Sequence, residues 1–246
     1  NNFPSIMTAQ NKHAIQKISL KKVKLLALVL GLFTSAVVWA HGVDSATKDF
    51  LLNNEGMAIM PFIYIGAKHM VTGYDHLLFL VGVIFFLYRT KDVVIYVSLF
   101  TLGHSLTLLY GAFNHIQVNA YLIDAVIGFS IVYKGFDNLG GFKKLLGFQP
   151  NTKAAVLVFG LFHGFGLATK LQEFQLKEDG LLANLLAFNL GVEIGQVFAL
   201  GMVLIVLSFW RRFGSYLKFS GLTNTLLMMA GWLLVFYQLT GYFINP

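Results

Sequence analysis

Residues 69–88 read HMVTGYDHLLFLVGVIFFLY: two histidines and an aspartate, followed by a run that is almost purely apolar. The apolar part is long enough to cross a hydrocarbon core, yet it opens with three groups that hydrocarbon rejects. The rest of the chain shares the character of this run. It is 57% hydrophobic and 12% charged, with a mean hydropathy of +0.69, outside the range of ordinary soluble domains. These values predict an all-α, polytopic membrane helix bundle. With about 20 residues needed per crossing, 246 residues hold about six spans.

The six runs fall at roughly 70–88, 92–112, 118–138, 153–171, 181–209 and 221–243. Ahead of them, Lys17, Lys21, Lys22 and Lys24 precede the apolar stretch LLALVLGLFTSAVV and then Trp39-Ala40. A basic patch, a short apolar core and small residues before the break form the pattern of a secretory signal peptide. We therefore divide the chain into a leader over 1–40, an external segment over 41–60 and a membrane bundle over 61–246. The basic residues support this orientation. Arg89, Lys91, Lys134, Lys143, Lys144, Lys153, Arg211, Arg212 and Lys218 fall on one side of the expected membrane; only Lys48, Lys68, Lys170 and Lys177 fall on the other. The positive-inside rule makes the first side cytoplasmic and the mature N-terminus periplasmic, in a bacterial inner membrane.

The net charge of +7 is thus read as topology, and no basic run interleaved with aromatics points to nucleic acid. The chain has no cysteine, which excludes disulfides, thiolate metal sites and a cysteine nucleophile. No phosphate-binding G-x-x-x-x-G-K-[ST] loop occurs, so no ATPase is built in.

Function is sought among the ionisable residues inside the runs, since each is costly there unless it faces protein or water. On a straight helix His69 and His76 share a face but stand about 10 Å apart along the axis, too far for one ion. A break at Gly73 between them would bring the rings together; otherwise His69 marks an external mouth and His76 a deeper site. Asp75 suits either direct ligation or the orientation of a neighbouring imidazole. His104 lies in the second run beside Thr101 and Thr107, His163 in the fourth between Gly160 and Gly164, and Asp124 in the third; each fits an interhelical hydrogen bond as readily as a pathway. Asn189, Glu193 and Gln196 follow i, i+4, i+7, with Gly191 and Gly195 on roughly the opposite face. His41, once exposed as an N-terminus, could chelate an ion with its imidazole and amino group.

His69, five residues and Asp75-His76, with Phe162-His163-Gly164 later and a leader ending just before His41-Gly42, resemble the HupE/UreJ family of hydrogenase and urease accessory membrane proteins, regarded as nickel or cobalt permeases. The resemblance implies that His69, Asp75 and His76 take part in metal recognition and that His163 belongs to the second motif. That motif continues here as Gly164-Phe165-Gly166, without the further histidine and glutamate of the well-described members, which brings the chain closer to a second branch of the family. Glu193 is our own candidate for the missing carboxylate.

The expected function is a permease, not an enzyme, with no permanently bound cofactor. The expected cargo is a divalent transition metal, Ni²⁺ or Co²⁺, gathered by His41 and His69, held by Asp75 and His76, and passed inward by His104, His163 and Glu193. The absence of thiolate disfavours Cu(I), against which only the seven methionines stand. The partners are the metal ion and the bilayer, with homo-oligomers or metalloenzyme-maturation proteins compatible. Three alternatives stay open: an intramembrane haem protein with His104 and His163 as axial ligands, a hydrolase using Ser105 or Ser130, and an accessory subunit that transports nothing.

Overall fold

The computed structural model describes residues 56–172 and 180–244, so the leader, His41 and most of the external segment lie outside the described residues. Among the described residues there is no strand. Eight helices follow in order: α1 (Ile59–Thr72), α2 (Tyr74–Ile84), α3 (Thr90–Phe113), α4 (Ala120–Asn138), α5 (Gly141–Leu146), α6 (Thr152–Gln172), α7 (Leu181–Trp210) and α8 (Ser215–Ile244). Four of them, α3, α6, α7 and α8, are long and apolar enough to cross a membrane.

The other two expected runs depart from the reading in instructive ways. Helix already begins at Ile59, not at 70, and it stops at Gly73 (φ −70°, ψ 103°), so neither α1 nor α2 alone is long enough to span. Helix α4 matches its expected range but contains Asp124, Lys134 and Asp137. Lys134, read as a cytoplasmic loop cation, is instead buried in α4 and paired with Asp137 at 2.6 Å. Gln149 and Thr152 also donate to that carboxylate, at 2.8 and 3.3 Å, so the pair carries the extra hydrogen bonds a buried charge needs.

Packing is organised as three intimate helix pairs, each made by glycines that let backbones touch. Helices α3 and α6 run parallel: Gly103 faces Leu157 and Gly160, and two turns on Gly111 faces Phe165 and Ala168. Helices α1 and α7 also run parallel, with Gly191 against Ile63 and Gly195 against Ala67. Helices α4 and α8 run antiparallel, with Gly128 against Gly231 and Gly135 against Asn224. In hydrocarbon the apolar effect does not drive helices together, so this close dispersion contact and interhelical hydrogen bonds must.

Polar side chains lock the pairs to one another. Thr101 donates to Gln196 Oε1 at 2.6 Å and Ser105 to Asn189 Oδ1 at 3.2 Å, tying α3 to α7. Asn138 Nδ2 reaches Gly82 O and Asn224 Oδ1, both at 2.8 Å, joining α4, α2 and α8. Helix α2 is the most deeply enclosed element, burying His76, Phe79, Leu80, Gly82, Val83 and Ile84. Its last carbonyls would be orphaned in the interior. Arg211 answers them, donating to Ile84 O at 2.7 Å and Phe85 O at 2.6 Å, while Tyr216 also donates to Phe85 O. The guanidinium lies over the Tyr88 ring at 4.6 Å. Arg211→Ala is therefore expected to lower stability by about 2 kcal/mol, the scale of charged hydrogen bonds to buried carbonyls. A fall in the thermal unfolding midpoint in detergent checks it; an unchanged midpoint would mean the α2 terminus finds other partners.

Candidate functional site

The break at Gly73 decides the geometry. It turns the chain between the last turn of α1, which holds His69, and the first turn of α2, which holds Asp75 and His76. The His69 and His76 rings meet edge-on, with centroids 4.9 Å apart, where a straight helix would have held them about 10 Å apart. On its other side His76 meets His163 of α6, centroids 5.1 Å apart and again edge-on. Three imidazoles from three helices thus form a continuous row in the bundle core.

Each member of the row is oriented by what it touches. His76 Nδ1 lies 2.8 Å from Asp75 Oδ1, which also accepts the His76 backbone N–H at 2.9 Å. Asp75 sits in the first turn of α2, at the positive end of the helix dipole, where a carboxylate is favoured. His163 Nδ1 lies 2.8 Å from Phe159 O. A carbonyl can only accept, so Nδ1 carries the proton and Nε2 carries a lone pair. That Nε2 is buried and has no hydrogen-bond partner. A fixed tautomer with a bare inward nitrogen is the state in which histidine binds metals. Phe100 and Phe79 wall the row, with centroids 4.8 and 5.9 Å from His163.

Among the described residues no group of three or more His, Asp and Glu side chains is arranged as a finished metal cage. The site is a row of neighbouring donors instead of one polyhedron. Past His76 a mainly apolar cavity continues, lined by Met70, Phe79, Val83, Phe100, Val156 and the single amide of Gln196.

A family model described as HupE / UreJ protein matches residues 45–246. The chain belongs to the HupE/UreJ family. No curated protein and no solved structure matches it. Membership in this family of membrane proteins fits a metal-related accessory role, and all three histidines of the row fall within the matched region.

The remaining candidates of this HupE/UreJ chain are placed as follows. His104 is 1% exposed, stacked on Phe100 at 6.2 Å, and neither ring nitrogen has a partner. Because α3 and α6 run parallel with Gly164 against the His104 carbonyl, His104 and His163 stand side by side at one level. Glu193, offered by the sequence as the missing carboxylate, is exposed on the outside of α7. The i, i+4, i+7 pattern spans an arc wide enough to divide: Asn189 and Gln196 turn inward to Ser105 and Thr101, while Glu193 falls beyond the edge of that face. Glu193→Gln is accordingly expected to change stability by no more than about 0.5 kcal/mol, the scale of surface substitutions. A large fall in the thermal unfolding midpoint in detergent would place this residue in the bundle interior.

Asp124 is paired with Lys170, whose ammonium lies 2.9 and 2.8 Å from its two oxygens. Sequence reasoning missed this pair, although Lys170 follows His163 by seven residues on one face of α6, a spacing that could have flagged it. The serines bear on hydrolysis: Ser105 donates to Asn189 and Ser130 to Ile127 O at 2.6 Å, so the hydroxyl protons are committed elsewhere than to histidine.

Proposed function

We propose that this protein is a permease for a divalent transition metal, Ni²⁺ or Co²⁺ first among them, in the bacterial inner membrane. One observation carries the reading: the Gly73 break lines up His69, His76 and His163 in the bundle core, with the His163 Nε2 lone pair buried and unclaimed. Helices α1 and α2 act together as one discontinuous span and the unbroken α4 as a further one, giving six crossings. Helix α1, at 14 residues, is about 21 Å long, so the break lies deep in a core roughly 30 Å thick. Discontinuous spans with half-helix ends near the midplane are a recurrent way to hold ions in transporters.

Imidazole and carboxylate suit borderline divalent ions. His69 receives the ion from the periplasmic side, Asp75 and His76 strip part of its water, and His163 takes it in turn. Adjacent rings allow donors to be exchanged one at a time, so no step leaves the ion bare. A row without a finished cage also suits cargo that must leave as readily as it arrives, as conduction requires. The haem alternative gains no support: α3 and α6 touch backbone to backbone around His104 and His163, leaving no slot for a porphyrin.

The test is uptake of Ni²⁺, Co²⁺, Zn²⁺ and Cu⁺ into vesicles by wild type beside Asp75→Asn and His76→Ala. Selective uptake of Ni²⁺ or Co²⁺ that both substitutions remove is expected. Equal uptake of every ion with and without them overturns the reading and leaves the non-transporting accessory role in its place.

A further inference from the structure

Lys170 stands near the end of α6, two turns and about 10 Å beyond His163 on the same face. Its ammonium grips both oxygens of Asp124 on α4, and Gln238 Nε2 of α8 reaches one of them at 3.5 Å. The carboxylate is 18% exposed and the lysine side chain 42%, so the acid is enclosed while its cation borders open space. The second carboxylate of this region is thus held about two helical turns from the end of the histidine row, and a tethered cation occupies it.

The neighbouring contacts suit a lysine that moves while its helix does not. Gln172 donates to Gly111 O, Ile116 O and Ala168 O, and Thr169 accepts the Val118 N–H, fixing the end of α6. Lys170 itself has a long flexible stem one turn or less from that end, the situation in which lysine reaches out to water.

Resting on the permease reading above, we propose that Lys170 is an exchangeable counter-ion: it holds Asp124 while the row is empty and yields the carboxylate's field to an arriving divalent cation. An ammonium fixed near the row repels a doubly charged ion; released to water, it leaves Asp124 and Asp75 to balance the two positive charges. Lys170 acts through Asp124 and is a positioning residue, setting how tightly cations are admitted.

The experiment measures Ni²⁺ uptake by proteoliposomes over a range of concentrations for wild type, Lys170→Gln, Lys170→Arg, Asp124→Asn and Asp75→Asn, each first shown to be monodisperse. Removing one fixed charge about 10 Å from the ion is expected to lower KM about tenfold in Lys170→Gln, with kcat little changed. Lys170→Arg should restore the wild-type KM, and Asp124→Asn should raise it. A purely structural tie predicts the opposite for Lys170→Gln, a KM unchanged or raised. That result, with Asp75→Asn still abolishing uptake, overturns this inference alone. Wild-type vesicles that carry no Ni²⁺ overturn the permease reading and this inference with it.

Discussion

Gly73→Ala is expected to reduce Ni²⁺ uptake by about 10- to 100-fold in a protein that still folds, the range seen when the groups that orient a metal-binding histidine are disturbed. The backbone at Gly73 is extended, not left-handed, so alanine is tolerated conformationally. Space is the difficulty. A Cβ there would lie 2.5 Å from His76 Nδ1, 3.0 Å from Asp75 Oδ1 and 3.1 Å from His69 O. The side chains can yield, but the first to do so is the imidazole, and its movement breaks the 2.8 Å Asp75–His76 bond. The other response is for alanine, a far better helix former than glycine, to close the break. That draws His69 and His76 apart along a continuous helix. Either way the row loses its middle while the glycine-mediated helix pairs stay intact, so the unfolding midpoint should change little. Uptake measured beside thermal unfolding separates the two effects; wild-type uptake in Gly73→Ala would show that the row is not the route.

The contrast between His76 and Glu193 shows what the sequence could and could not convey. Composition and hydropathy located the long helices to within a few residues over 90–113, 152–172 and 181–210, because a membrane leaves few other ways to satisfy a backbone. The meeting of His69 and His76 was legible as one of two outcomes, since only a break at Gly73 could join them. What periodicity could not supply was azimuth at the edge of a face. Glu193 comes between Asn189 and Gln196 in sequence but lies to one side of both around the helix, and those two turn in while it turns out, a matter of where α3 happens to pack against α7. The same holds for relative height: nothing in the sequence tells that His104 and His163 lie level, which the parallel run of α3 and α6 sets. The pairing of Lys170 with Asp124 joins residues 46 positions apart on two helices: the seven-residue spacing from His163 flags the lysine, but no local pattern names its partner.

Gly164→Ala is expected to cost about 3 kcal/mol or more, the upper part of the range for overpacking, because the atoms in the way are not free to retreat. A Cβ at this position would run into Thr107 Oγ1 and the His104 carbonyl, and would lie 2.9 Å from Leu108 N. Two of these three are backbone atoms of α3, so α6 itself must move off. Moving it breaks the 2.7 Å bond from Thr107 to Leu161 O and shifts the adjacent His163, whose bare nitrogen ends the row. Loss of stability and loss of uptake should therefore appear together, unlike in Gly73→Ala. The control lies in the same chain. Gly201 and Gly221 are also mid-helix, but nothing lies within 4 Å of a Cβ at either. Alanine there should stabilise by about 0.5–1 kcal/mol through helix propensity alone. Thermal unfolding of the three variants in one detergent decides the matter. If Gly164→Ala rises with Gly201→Ala and Gly221→Ala, α3 and α6 are not in backbone contact, and the level placement of His104 beside His163 falls with that contact.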